Sequence, residues 1–448
     1  MSDAIFSVGF VSLGCPKNLV DSQLMAESLL SQGFQLAPDP DAADVIIVNT
    51  CAFIEDARAE SLDAIEAVCE QKHAGGCQAV LVAGCMPQRY QDRIQQALPA
   101  VDGFIGLDCI DQAGTIIRQV LAARQPVFAV TAASQRIFEP KGTVVFSTGA
   151  HAFLKIAEGC NHGCTFCAIP GIRGKHRSRK TADIVQEAQT LVRKGFRELD
   201  LIAQDIMAYG KDLTPATSLD ALLAALSDLG QTYWLRLLYG YPSLLTDALL
   251  ETIAGTPAIC HYLDIPIQHS HPDILRAMRR AGTITAVENL PARIRQCLPD
   301  ATLRTTALVG FPGETDAQFQ HLRAYLDAAA FDHLGVFCYS PEENTPAAAL
   351  PAQVDPDVAY ERQDILMQEQ QKRVQTRLRH SKGQKATVLI DAPGRKPGEL
   401  RARNQGQAPD VDGVVWIRNA PQSWKPGMFV EVKYNAFRGY DLIAAPSP

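Results

Sequence analysis

A stretch near the middle of the chain carries three cysteines at short spacing. Within residues 158–167 these are Cys160, Cys164 and Cys167, which follow a short apolar run. Thiolate is the ligand that iron–sulfur centres take, and a four-iron cluster offers one external ligand position per iron. Three thiols therefore leave one iron open, where a molecule with adjacent amino and carboxylate groups can chelate. S-adenosylmethionine has such groups, and an electron from the cluster can cleave its sulfonium.

Two other interpretations of this stretch stay open from the residues alone. The cysteines stand at positions i, i+4 and i+7, which share one helix face, but Gly159 and Gly163 disfavour a helix here. A zinc site with His162 as the fourth ligand is the second interpretation. Structural zinc sites usually draw pairs of ligands from two separated halves, and no second half follows this stretch.

The first 110 residues alternate apolar runs with acidic, helical-looking segments, a pattern that predicts a parallel α/β sheet. The main apolar runs are residues 5–13, 45–48 and 79–82. A cysteine follows each run within a few residues, and these cysteines are Cys15, Cys51 and Cys85. Because loops at the carboxyl ends of parallel strands share one edge of the sheet, we predict that the three thiols meet there.

Other cysteines offer alternatives to this second set. Any one of the three, taken singly, fits an ordinary buried cysteine. Cys69 and Cys77 fall in or after a helical stretch and lack the position after a strand. Cys109 follows a further apolar run, residues 104–107, and is the main rival as a ligand.

Six more apolar runs, separated by helical segments, recur at intervals of roughly 30 to 40 residues. They are residues 153–156, 199–202, 234–239, 262–265, 303–309 and 334–337. Six βα units predict a partial barrel rather than a closed barrel of eight, with its active face at the carboxyl ends of the strands.

Polar residues stand where several of these strands should end. They are Gln204 and Asp205, Gln268 and His269, and the segment 310–314. At such positions we expect either ligand contacts or helix caps. The basic residues between 173 and 180 are open to two interpretations, a solvated turn or a contact to substrate or phosphate at the mouth of the barrel.

The chain is expected to form three domains, at residues 1–125, 145–380 and 383–448. Residues from about 123 to 150 contain several Pro and Gly and are interpreted as a connection. A charged helix at 357–382, with Leu366, Met367, Val374 and Leu378 on its apolar side, should finish the barrel. Short apolar runs at 387–390, 413–417 and 428–432 then predict a small all-β barrel.

The composition is that of a globular chain, with 448 residues, 47% hydrophobic and 20% charged. We expect no membrane insertion, because no apolar run is long enough, and no secretory signal at residues 1–6. Twelve cysteines without an export signal suggest metal or redox use in the cytoplasm. The net charge is −7, while residues 382–448 hold 10 basic and 6 acidic side chains, a modest excess for binding nucleic acid.

The chain resembles the methylthiotransferase family of radical S-adenosylmethionine (SAM) enzymes from end to end. The motifs that carry the resemblance are residues 12–18, 157–160, 172–175, 263–269, 309–315 and 407–413, together with Phe166 before the third central cysteine. The resemblance implies an N-terminal cluster domain, a radical SAM partial (β/α)6 barrel and a C-terminal TRAM domain.

The resemblance also implies roles for particular residues. Cys160, Cys164 and Cys167 would hold the 4Fe-4S cluster that cleaves SAM. Cys15, Cys51 and Cys85 would hold a second 4Fe-4S cluster, whose open iron docks the sulfur to be transferred. All six would be catalytic as well as metal ligands, and the contacts to SAM would come from Phe166, Gln204, Arg236 and Gln268. One departure stands after Asp205, where the family usually has a hydroxyl pair and this chain has Ile206 and Met207.

The reaction that the resemblance implies is methylthiolation of the β-carbon of an aspartate in ribosomal protein uS12 of the small subunit. The alternative is methylthiolation of an adenosine base in tRNA, which relatives with the same three domains carry out. An unactivated C–H bond has no useful acidity, so a radical rather than a general base must remove the hydrogen. The implied partners are uS12 or the small ribosomal subunit, an electron donor protein and a sulfur donor, with the TRAM domain docking the protein target.

Overall fold

A computed structural model describes residues 6–123 and 125–447. Residues 1–5 lie outside the described residues. The expected absence of a secretory signal and the first residue of the first predicted strand fall in this segment. The chain forms a parallel α/β unit, a central parallel sheet wrapped by helices, and a closed β-barrel. None of the described helices combines the length and apolar character that a membrane crossing requires.

The N-terminal unit is a six-stranded parallel sheet with the strand order β2-β1-β3-β4-β5-β6. Its strands are β1 (Ser7–Ser12), β2 (Gln35–Leu36), β3 (Val45–Thr50), β4 (Ala79–Gly84), β5 (Gly103–Ile105) and β6 (Val127–Ala129). Its helices are α1 (Pro16–Ser31), α2 (Glu55–His73), α3 (Cys85–Tyr90), α4 (Asp92–Ala97) and α5 (Ala113–Ala123). Every residue of β3 and β4 is buried, as continuous apolar runs predict for a sheet covered on both faces.

One part of this unit departs from the sequence prediction. Strand β6 pairs with β5, so part of the segment interpreted as a plain connection belongs to the N-terminal sheet. The sheet therefore extends beyond the predicted domain boundary at residue 125. A three-residue strand gives too short a pattern to separate from a loop, and its neighbour in the sheet supplies the pairing.

The central unit is an open sheet of six parallel strands in chain order, which confirms the predicted partial barrel. The strands are β7 (His151–Lys155), β10 (Glu198–Ile202), β11 (Trp234–Leu237), β12 (Ile259–Asp264), β13 (Thr302–Val309) and β14 (His333–Cys338). A short ribbon, β8 (Ala157–Glu158) with β9 (Arg177–Ser178), follows β7. The helices are α6 (Ile169–Arg173), α7 (Thr181–Arg193), α8 (Leu219–Leu226), α9 (Asp247–Gly255), α10 (Pro272–Ala277), α11 (Ile284–Cys297), α12 (Asp316–Ala329) and α13 (Pro356–Ser381).

The C-terminal unit is a closed five-stranded barrel with the order β15-β16-β17-β19-β18. Its strands are β15 (Lys385–Pro393), β16 (Leu400–Arg403), β17 (Val415–Ile417), β18 (Phe429–Arg438) and β19 (Asp441–Pro446). The predicted all-β barrel is confirmed, but the sequence prediction missed β16 and β19. Strand β16 reads Leu-Arg-Ala-Arg, which shows no run of apolar residues.

Ion pairs and hydrogen bonds join the C-terminal barrel to strand residues of the central sheet. Arg403 pairs with Glu198 at 2.6 Å, and the Arg236 guanidinium donates to the carbonyl of Gln405 at 2.6 Å. Asp412 accepts from the Tyr262 hydroxyl at 2.7 Å and from Arg304 at 2.7 Å. Residues 404–412, which we call the TRAM-side loop, are therefore part of the wall of the central unit rather than a flexible attachment.

Candidate active site

The three central cysteines lie on an irregular loop between β8 and α6. Residues 159–168 form no helix, and α6 begins only at Ile169, after the third cysteine, so the helical-stripe interpretation is wrong. Gly159 has a φ of +78°, and a Cβ at this position would lie 2.1 Å from the Lys175 carbonyl oxygen. Glycine is required there because the loop passes directly against the returning chain. The Cys160 amide then donates to the Gly174 carbonyl at 3.1 Å, which fixes the start of the loop.

His162 is occupied by contacts other than those of a metal ligand. Its ring stacks on Tyr241 with a centroid distance of 3.6 Å, and its Nε2 lies 2.7 Å from the Asp205 carboxylate. The structure thus gives no support to a zinc site with His162 as the fourth ligand. His162 instead links the cysteine loop to Asp205, one of the predicted polar residues after β10.

An arginine that the sequence analysis missed approaches this loop. Arg280 Nη1 lies 3.7 Å from Cys164 Sγ, its Nη2 donates to the Pro266 carbonyl, and its guanidinium lies 4.3 Å from the Tyr241 ring centroid. Burial raises the pKa of Cys160 to about 11 and that of Cys167 to about 12. A neighbouring cation favours thiolate, but burial has the larger effect, so these thiols are protonated at neutral pH until a metal displaces the protons.

The three N-terminal cysteines also come together, as the strand pattern predicted. Cys15 stands directly before α1, Cys51 directly after β3, and Cys85 opens α3 directly after β4. The loops approach so closely that a Cβ on Gly14, which has a φ of +83°, would lie 2.6 Å from the Cβ of Cys51. Burial raises the pKa of Cys85 to about 12, and although Arg173 opposes this, negative charge on Cys51 or Cys15 adds to it. The three sulfurs are therefore electrostatic neighbours.

The remaining cysteines of this unit have different surroundings. Burial raises the pKa of Cys109, and its charged neighbours are Asp108, Asp111 and Arg136 rather than other thiols. Cys77 has Cys69, Lys72 and Asp102 around it. The rival ligand Cys109 is thus separate from the three strand-end cysteines.

A buried network of charges links the two groups of cysteines. Arg173 and Lys155 from the central unit meet Asp21 from α1 and Glu158, which precedes the central cysteine loop. Burial alone would raise the pKa of Glu158, but Arg173 and Lys155 hold it well below its ordinary value. Glu158 is therefore a charged partner of the two cations, and Asp21 forms ion pairs with both of them.

The basic run at 173–180 is mostly not a solvated turn. Arg173 and Arg179 are wholly buried in ion pairs, and His176 is buried beside Ser178 and Asp212. The Arg177 guanidinium donates hydrogen bonds to backbone carbonyls, including those of Ser134 and Arg173. Charged residues at close spacing usually face water, so nothing in the local pattern signals that acidic partners arrive from elsewhere in the chain.

The predicted SAM contacts fall into two groups. Gln204 and Gln268 follow the carboxyl ends of β10 and β12, whereas Phe166 lies within the central cysteine loop and packs in a hydrophobic cluster with Met278 and Phe311. Gln204 Nε2 donates to Glu158 at 2.8 Å, while its Oε1 is buried with no hydrogen-bond partner. Gln268 has a left-handed backbone, with a φ of 68°, of the kind that is often found at binding sites.

Arg236 is the exception in that set. Its guanidinium is buried between Glu198, at 2.6 Å, the Tyr262 ring and the carbonyl of Gln405. Its Nη2 is nevertheless buried without a hydrogen-bond partner, so these contacts do not satisfy the whole side chain, and its contact with SAM stays a prediction. A second buried cluster contains His269, Glu314 and Arg362. Glu314 accepts from the Gly310 amide there, so segment 310–314 follows the capping interpretation rather than that of a ligand contact.

A cavity of about 450 Å³ lies where the three units meet. Its wall includes Cys15 from the N-terminal unit, strand residues of the central unit and the tip of the TRAM-side loop; these include Tyr239, Asp264, Arg304, Phe337 and Asp410. Tyr239 is itself held by Lys17, whose Nζ lies 3.2 Å from the centroid of the ring. The cavity is large enough for a peptide side chain with its neighbouring backbone, and it places Cys15 in contact with that space.

Family models match the chain in the same three parts. Residues 7–106 match the uncharacterized protein family UPF0004, residues 154–326 match the radical SAM superfamily, and residues 383–446 match the TRAM domain. The class of protein is therefore a radical SAM enzyme with an N-terminal cysteine unit and a C-terminal TRAM barrel.

Curated relatives match over almost their full length. The ribosomal protein uS12 methylthiotransferase RimO of Syntrophus aciditrophicus is 43% identical, with 98% of each chain covered. The protein of the same name from Geobacter sulfurreducens is 41% identical, with 99% of each chain covered. The chain belongs to the ribosomal protein uS12 methylthiotransferase family.

The fold also resembles a solved structure of a more distant enzyme. The radical SAM methyltransferase TsrM from Kitasatospora setae, solved with cobalamin and a [4Fe-4S] cluster, has a TM-score of 0.56 and 14% identity. The match covers 77% of this chain and 74% of that chain. With 77% of the chain covered, the match extends beyond the central unit and shows a shared fold.

Proposed function

We propose that the chain methylthiolates the β-carbon of an aspartate in ribosomal protein uS12, with a 4Fe-4S cluster on each group of three cysteines and SAM as co-substrate. The observation that carries the proposal is the match over almost full length to relatives named for this activity, in a chain that brings together both cysteine groups. When bound, the central cluster supplies the electron for SAM cleavage, and the N-terminal cluster supplies a site for the sulfur.

The donor sets fit four-iron clusters better than single metal ions. Each group offers three thiols, and among the described residues no three His, Cys, Asp or Glu side chains converge as a site for one ion. Thiols around a four-iron cluster bind different irons, so they need not converge on one point. Cys160, Cys164 and Cys167 would hold one cluster, and Cys15, Cys51 and Cys85 the other.

The protein groups near the central cysteines suit a small molecule with amino and carboxylate groups. Gln204 Oε1 is a buried acceptor without a donor, which an ammonium group would satisfy. Asp205 and His162 hold the cysteine loop against β10, and Tyr241 and Arg280 support it from the other side. The chain's own role here is to orient the bound molecule and to keep the loop rigid.

The cavity beside Cys15 supports a protein substrate over tRNA. Asp264 and Asp410 contribute carboxylates to its wall, and Arg304 is already paired with Asp412 of the TRAM-side loop. Val411 and Phe337 are exposed large apolar residues at its edge. Asp264 lies 3.8 Å from Arg304, so the exposed carboxylate of Asp410 carries the argument: it would attract a basic ribosomal protein and repel a polyanion.

Two further partners and a location belong to the proposal. The reaction consumes electrons and sulfur, so an electron donor protein and a sulfur donor must meet the chain. Both are expected in the cytoplasm, where uS12 is assembled into the small subunit.

Mass spectrometry after an anaerobic assay tests the proposal. Reconstituted protein is incubated with SAM, reductant and sulfide, and with one of three substrates: free uS12, small ribosomal subunits or tRNA. We expect a methylthio group on one aspartate of uS12 and none on tRNA. A methylthioadenosine in tRNA together with unmodified uS12 would replace the proposed substrate by the alternative.

A further inference from the structure

One arginine contacts both Cys85 of the N-terminal group and Glu158, which directly precedes the central cysteine loop. Arg173, the last residue of α6, is wholly buried and follows the central cysteine loop in sequence. Its Nη1 donates to both Glu158 oxygens at 2.9 and 3.0 Å, two residues before Cys160. Its Nη2 faces the N-terminal unit, where it lies 3.4 Å from Cys85 Sγ and 2.9 Å from Asp21.

The N-terminal partners of Arg173 are themselves fixed. Asn18 accepts from Arg173 Nη2 through Oδ1 and lies 3.5 Å from Cys85 Sγ. Asn18 Nδ2 also donates to the carbonyls of Leu13, two residues before Cys15, and of Thr50, directly before Cys51. One asparagine therefore contacts the loops of all three cysteines, and the guanidinium holds that asparagine from the central unit.

An unpaired guanidinium is too costly to bury for packing alone, so the surrounding acceptors explain why Arg173 is tolerated. The acceptors come from both units, and one of them is a thiol of the N-terminal group. A rigid planar fork with several donors can make all these contacts at once, which a lysine ammonium cannot.

We propose that Arg173 is a positioning residue that fixes the N-terminal cluster relative to the central cysteine loop and stabilises its reduced state. This inference rests on the proposed cluster at Cys15, Cys51 and Cys85. Hydrogen bonds to cluster sulfurs and nearby positive charge are among the factors that set cluster potentials, and both raise the potential. Asp21 carries the opposite charge beside the same thiol, so its contribution has the opposite sign.

The test uses the full chain in which Cys160, Cys164 and Cys167 are replaced by Ala, so that one cluster remains. After anaerobic reconstitution, iron is counted and the midpoint potential is measured by titration followed by electron paramagnetic resonance. The variants are Arg173→Lys, Arg173→Gln and Asp21→Asn. Arg179→Lys is the matched control, because Arg179 is equally buried and paired with Glu139 and Glu187 but contacts no thiol.

We expect Arg173→Gln to lower the potential or to lose the cluster, Arg173→Lys to show the same effect more weakly, and Asp21→Asn to raise the potential. Arg179→Lys should keep the iron and potential of its parent. Opposite shifts from neighbouring residues would not follow from a general loosening of the fold.

The inference is overturned if the Arg173 variants keep both iron and potential, or if Asp21→Asn lowers the potential. Should Arg173→Gln fail to fold, Arg173→Lys and Asp21→Asn decide the sign. A parent chain that binds no iron would defeat the proposed function itself, which separates the two failures.

Discussion

The two cysteine groups are built in opposite ways. The central group comes from one loop, in which Cys160 and Cys167 are seven positions apart, whereas the N-terminal group collects three loops that follow β1, β3 and β4. A short loop can be placed by local turns and a glycine, but three strand-end loops meet only after the sheet has formed. The first site is thus specified by local sequence and the second by topology.

The groups also differ in access. All three central cysteines are half-buried, while Cys51 and Cys85 are buried and only Cys15 reaches the cavity between the units. Each group has one arginine beside a thiol, Arg280 at Cys164 and Arg173 at Cys85. Arg280 contacts the Tyr241 ring and the Pro266 carbonyl, whereas Arg173 forms ion pairs with carboxylates from two units. The half-buried central group suits the binding of a small molecule. The rigid, buried N-terminal group suits delivery of a sulfur atom toward the cavity beside Cys15.

The largest expected effect separates the two groups by activity. Replacing Cys160, Cys164 and Cys167 together by Ala should abolish SAM cleavage and lower the iron content from about eight to about four per chain, because one of two four-iron clusters is lost. Iron analysis and detection of 5′-deoxyadenosine measure both effects. Wild-type protein that holds zinc, or no more than about four irons, would contradict the two-cluster assignment.

A change in the N-terminal group should separate SAM cleavage from methylthiolation. Cys51→Ala removes one N-terminal thiol without touching the central loop, so 5′-deoxyadenosine should still form while uS12 gains no methylthio group. Mass spectrometry of uS12 and of the nucleoside product distinguishes the two outcomes. Normal methylthiolation by this variant would mean that the N-terminal group has no part in sulfur transfer.

The sequence predicted the local features of both sites and missed contacts made between distant segments. The cysteine spacing, the strand-end positions and the six βα units could be predicted, because each depends on residues near one another in the chain. Arg173 could not be assigned, since its partner Asp21 lies in another unit. Residues 407–413 were singled out as a motif, but their contacts could not be predicted, because only the fold brings Tyr262 and Arg304 to Asp412.

A smaller effect should appear in the chemistry of the thiols without metal. The pKa of Cys85 is raised to about 12, above the ordinary thiol value of ~8.5, so at pH 8 its thiolate fraction should be roughly a thousandfold lower than that of a peptide thiol. Since a raised pKa disfavours thiolate, labelling of Cys85 should keep rising from pH 8 to pH 10, where an ordinary thiol levels off.

Iodoacetamide labelling of the apo-protein, followed residue by residue by mass spectrometry, measures this dependence. Denatured protein serves as the control, because unfolding removes the burial that raises the pKa. Labelling of Cys85 that levels off near pH 9 in the folded chain would show that burial does not hold this thiol protonated.

The smallest effect concerns the cavity that only the N-terminal group reaches. Deleting residues 383–448 is a poor test of substrate docking, because it would strip Glu198, Arg236 and Arg304 of buried partners and destabilise the central unit. The expected docking of the protein target by the TRAM domain is better tested by a single substitution at the cavity edge.

Asp410→Asn provides that change, since the carboxylate is largely exposed at the cavity edge, with 64% of the side chain accessible. An exposed ion pair with a basic substrate contributes up to about 1 kcal/mol, so KM for uS12 should rise by up to about fivefold while 5′-deoxyadenosine formation without uS12 stays unchanged. Asp300→Asn, which removes another exposed carboxylate away from the cavity, is the matched control. The rise should shrink as salt is added, because salt screens exposed charges. An unchanged KM at low salt would remove Asp410 from substrate recognition and leave the apolar edge of Val411 and Phe337 as the remaining contact.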